Sequence, residues 1–121
     1  MEIISKNIFT LLTIIWLIVV TVLLLLPPDN FDTVSRYEIP YIDKVVHIFL
    51  FGSLYLLAAK AVDERIYNTS KAVVLVCVII YAIFTEFLQL VLGFRSFEIF
   101  DIIANIMGAT MAYLFFNRTL N

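Results

Sequence analysis

Between Asn7 and Leu26 the chain carries no charge, and this apolar run closes on Pro27-Pro28, which cannot continue a helix. About 20 such residues are what an α-helix needs to cross the hydrocarbon of a bilayer, where every backbone polar group has to be satisfied within the segment. The run exceeds the roughly 7–15 residues of a cleaved signal core, and no small-x-small site follows it. It therefore reads as an uncleaved anchor, although Lys6 precedes it. Three further runs repeat the pattern, at Asp43–Val62, Lys71–Gly93 and Asp101–Phe116. The expected architecture is all-α, a bundle of four transmembrane helices.

Composition supports that class and narrows function. Of 121 residues, 63% are hydrophobic and only 15% charged, where a soluble domain carries about 25% charged residues. Mean hydropathy is +1.03. One domain spanning residues 1–121 leaves no room for a soluble catalytic unit, so any chemistry has to sit inside the bundle. A net charge of -2 gives no basic stripe for nucleic acid. The single cysteine, Cys77, lies among Val and Ile and reads as a buried core residue rather than a reactive thiol. Trp16, near the middle of the first span, is expected to pack into the bundle. Phe31, Tyr37 and Tyr41 in the 29–42 loop read as an interfacial aromatic belt.

Lys6, Lys60, Arg65, Lys71 and Arg118 fall on the side of both termini, against Arg36, Lys44 and Arg95 on the other. The positive-inside rule then places both termini in the cytoplasm, an N-in/C-in topology.

Six polar residues interrupt the spans: Asp43, His47, Glu86, Gln89, Asp101 and Asn105. An ionisable side chain at membrane depth costs roughly 2.5–3.5 kcal/mol on insertion scales, so such residues are expected to be paired between helices and functional. Spacing gathers them. Asp43 and His47, and Asp101 and Asn105, are i,i+4 pairs; Glu86 and Gln89 are i,i+3; each helix thus shows one polar stripe. At about 1.5 Å per residue all six lie in the outer half, which predicts one outward-facing pocket. Glu86, mid-helix, has no capping role to explain it. Asp43 and Asp101 each open a helix, where a carboxylate also caps free N–H groups. Ala104, Gly108 and Ala112 form a small-residue face on the fourth span, expected to bury against a neighbouring helix.

The same residues form an extended pattern: Asp43-Lys44-x-x-His47-x-x-x-Phe51-x-x-Leu54, then Glu86-x-x-Gln89, Arg95-Ser96, Asp101-x3-Asn105-x-x-Gly108. This closely resembles the VanZ-like family of small bacterial membrane proteins, over about Ile42 to Phe115. Gly93-Phe94 stands where many members have a proline before the arginine, and Ala112 where many have a second glycine. The resemblance implies residence in a bacterial cytoplasmic membrane and carries Lys44 and Arg95 over as motif positions beside the six. The founding member is associated with teicoplanin resistance, but the family has no agreed reaction.

Three functional readings follow. In the first, the pocket binds a polar or anionic lipid head group or a lipid-linked cell-envelope intermediate, with Arg95 and Lys44 at its rim, Gln89 and Asn105 orienting the ligand, and altered glycopeptide susceptibility as one consequence. In the second, Glu86 and His47 act as an acid–base pair of an intramembrane enzyme, for which Ser96 is the nearest nucleophile. In the third, the acids relay protons in a small-solute carrier that would need to dimerise; a homo-oligomer stays open. One histidine with scattered carboxylates is a weak metal signature, so neither metal nor cofactor is expected.

Overall fold

The computed structural model describes four α-helices and, within this chain, only their residues: α1 (Glu2–Leu25), α2 (Ile42–Asp63), α3 (Lys71–Leu92) and α4 (Ile99–Thr119). All four are long and apolar enough to cross a membrane, and no strand occurs among the described residues, so the expected all-helical architecture is borne out. The chain is a multi-pass membrane protein. α1 is described from Glu2, more than a turn ahead of the apolar run, as far as Leu25. The 29–42 loop aromatics read as a belt lie outside the described residues.

Pairwise contacts give the helix directions. Trp16 meets Phe49 and Leu50, and Lys60 sits over Phe9, so α1 and α2 run antiparallel. Thr21 bonds Tyr81 and Leu24 bonds Gln89, so α1 and α3 run parallel. Lys44 meets Asp101, and eleven residues further along α2 Tyr55 meets Tyr113 and Phe116, so α2 and α4 are parallel too. α2 touches each of the other three helices and packs most extensively on α4.

Burial follows these contacts. The core consists of Val20 and Leu24 from α1, Leu50, Phe51, Leu54, Tyr55 and Ala59 from α2, Val74, Val78 and Ala82 from α3, and Ala109, Ala112 and Phe116 from α4. Large apolar side chains such as Ile18, Phe49, Ile80, Phe87, Met111 and Phe115 are exposed, as lipid-facing positions should be. Cys77 shares that outward face; it is exposed, which corrects its reading as a core residue. Cys77 is nine residues from Glu86, half a turn round the helix from the buried polar stripe, and in lipid an outward cysteine costs little. Trp16 packs inward as expected, its indole N–H donating to the Leu50 carbonyl at 3.2 Å. Trp16→Phe keeps a ring and removes that donor. We expect it to cost about 0.6 kcal/mol, the average for an interhelical hydrogen bond in a membrane protein, read as a small shift in the SDS-unfolding midpoint.

Candidate functional site

The parallel α2–α4 seam carries two polar rungs at the end where both helices begin. In the first, the Lys44 ammonium donates to the Asp101 carboxylate at 2.6 Å. Asp101 occupies the first turn of α4, where the free N–H groups and positive dipole end also favour its charge. One turn deeper, His47 Nδ1 and Asn105 Oδ1 are 2.7 Å apart. Exposure falls along the seam, from 19% for the Lys44 side chain and 8% for Asp101 to 2% at His47 and 0% at Asn105.

Below the rungs the backbones close on one another. A Cβ placed on Gly108 would lie 2.8 Å from the Ile48 Cα, with the Ile48 carbonyl oxygen nearer still. Gly52 faces back across the seam, where a Cβ would stand 3.2 Å from the Gly108 carbonyl oxygen. Ala104, Gly108 and Ala112 are all buried along this contact. Hydrocarbon gives apolar side chains no reason to leave lipid, so close approach of small residues is what holds two such helices together.

From α3, Glu86 and Gln89 point inward with Val74, Val78, Ala82 and Thr85. Their depth follows from the ring contact between Phe51 and Tyr81. α2 is antiparallel to α3, so His47, four residues before Phe51, and Glu86, five residues after Tyr81, lie about 6 and 7.5 Å from that contact in the same direction. Glu86 is 1% exposed. The Gln89 side-chain N–H donates to the Leu24 carbonyl, one of the last-turn carbonyls of α1 that lack a partner within their own helix. Gln89 therefore ties α1 to α3, a role its i,i+3 spacing from Glu86 does not reveal.

One amide is left incomplete. Asn105 Nδ2 is buried without a hydrogen-bond partner among the described residues. Exchanging the amide's oxygen and nitrogen would not help, since one end would still face His47 and the other nothing. A buried polar group without a partner costs about 1–3 kcal/mol. The Tyr55 hydroxyl shares that condition within an aromatic cluster with Tyr113 and Phe116. Among the described residues no three His, Cys, Asp or Glu side chains converge to hold a metal ion. The Asp43 side chain and all of Arg95, with Ser96 beside it, lie outside the described residues. Thr21, Tyr55, Tyr81 and Gly52 were not singled out from the sequence. The cost of a polar hydroxyl at mid-span would have flagged the first three.

The VanZ/LLP1 family pattern matches residues 5–120, nearly the whole chain and therefore α1 as well as the motif-bearing helices. The chain belongs to the VanZ/LLP1 family. It is also similar to an uncharacterised protein of the fission yeast Schizosaccharomyces pombe, with 36% identity over 76 residues, or 63% of this chain. That stretch is 47% of the yeast protein, so this VanZ/LLP1 chain spans about half the length of the relative it matches. No solved structure matches it.

Proposed function

We propose that this VanZ/LLP1 protein binds a polar or anionic lipid head group at the end of the bundle where α2 and α4 begin. The unmet Asn105 Nδ2 carries the reading: a buried donor beside His47, one turn beneath the partly exposed Lys44–Asp101 pair, suits an oxygen-rich group entering from that end. The distribution of basic residues supports an N-in/C-in orientation, which would face this end outward. Similarity to a protein of a yeast favours a phospholipid head group, common to all membranes, over a bacterial wall precursor. If the chain is bacterial, its membrane would be the cytoplasmic one, and any effect on glycopeptide susceptibility would follow from lipid handling.

Asn105→Asp tests the reading, because it keeps an oxygen for His47 Nδ1 and replaces the free donor by an acceptor. The wild type is expected to retain anionic phospholipid over phosphatidylcholine in native mass spectrometry, and the variant to lose that preference by about tenfold or more, a difference of about 1.4 kcal/mol. Equal retention by both proteins would defeat the proposal. The enzymatic alternative is supported by Glu86, a buried carboxylate in mid-span. It requires Glu86→Gln to abolish turnover of a lipid ester or phosphate while leaving the lipid preference intact.

A further inference from the structure

We infer that Asp101 is a built-in competitor for the ligand, and that the site takes a phosphate-bearing group which displaces the Asp101 carboxylate from Lys44 and accepts a second hydrogen bond from Asn105 Nδ2. The inference rests on the head-group reading and deepens it. Among the described residues Lys44 and Asp101 make the outermost rung of the seam, on the path of a group that reaches Asn105 from this end. Asp101 already supplies the Lys44 ammonium with an anionic oxygen. It does not serve Asn105, although it lies one turn away on the same helix, since Nδ2 has no partner. The two donors sit on successive rungs, about 5.4 Å apart along the helix axis. A carboxylate held by the first turn of α4 cannot span both. A phosphate with two or three free oxygens can, and a choline-capped zwitterion brings its own cation against Lys44.

Release of Asp101 leaves its charge at the N-terminus of α4, where the free N–H groups and the dipole still stabilise it. The exchange therefore trades one anion for another at Lys44 without stranding either charge. It also makes the resting site selective, because a neutral head group has nothing with which to replace the carboxylate.

The test uses the full chain in phosphatidylcholine, with phosphatidic acid as the probe. Asp101→Asn removes the competing charge and is expected to raise phosphatidic acid affinity about tenfold over wild type, whereas Lys44→Gln should lose the preference for it. In the wild type, 13C-aspartate NMR should show the Asp101 carboxyl resonance move on adding phosphatidic acid, a reading that does not depend on any variant folding. An Asp101→Asn protein that binds no better than wild type, or an unmoved resonance, overturns the competition and leaves the head-group reading standing. Failure of both wild type and Asp101→Asn to prefer phosphatidic acid overturns both. Inorganic phosphate that moves the Asp101 resonance by itself supports the exchange but assigns it to a soluble phosphate rather than a lipid.

Discussion

Gly108→Leu is expected to abolish the native bundle, and Gly108→Ala to destabilise it by about 1–3 kcal/mol, the usual cost of forcing extra carbon into a packed contact. The reason is local. A Cβ at Gly108 meets the Ile48 backbone, not the end of a side chain that could turn away, so α2 and α4 have to separate. Alanine's higher helix propensity, worth about 1 kcal/mol in water, offers little here because isolated spans remain helical in lipid. Gly52→Ala is the matched control. Its Cβ would meet the Gly108 carbonyl oxygen at 3.2 Å, a contact that a few tenths of an ångström relieve, so its cost should be clearly smaller. SDS-unfolding midpoints followed by helical ellipticity and Trp16 fluorescence would rank the three. Equal effects at the two glycines would refute the close approach at Ile48.

Lys44→Met is expected to destabilise the protein by about 2–4 kcal/mol, near the lower part of the range for breaking a buried ion pair. The loss is moderated because Asp101 stays at the start of α4, where the helix end partly compensates its charge. Asp101→Leu should cost less. A lysine at the edge of a span can extend toward the head groups, and Lys44 is already partly exposed. In the Lys44→Met/Asp101→Leu double variant neither charge of this rung remains, so much of the loss should return. A double-mutant cycle by SDS or thermal unfolding measures this. Strict additivity would mean that the two side chains do not interact in the membrane.

Much of the fold was legible in the sequence because lipid imposes one rule on every span. Apolar length located the four helices. The VanZ-like pattern, drawn from polar residues at fixed gaps, named the family that the full-length match establishes. Cys77 shows where reading neighbours alone fails: its Val and Ile surroundings suggest a core position, but it lies nine residues from Glu86, on the opposite face of α3 from the buried Glu86–Gln89 stripe.

For the candidate site, periodicity put Asp43 near His47, Glu86 near Gln89 and Asp101 near Asn105 on their own helices, since side-chain direction along one helix is fixed by its 3.6-residue turn, while Lys44 entered only through the family pattern. Which stripes meet was not in that pattern. Only the packed bundle set Lys44 on Asp101 and His47 on Asn105, turned Gln89 to the end of α1, and left Asn105 Nδ2 unmet. A one-dimensional repeat gives depth and face for each helix separately. Neighbour and register are decided across helices, by how closely two backbones approach, and here that depends on Gly108 meeting Ile48.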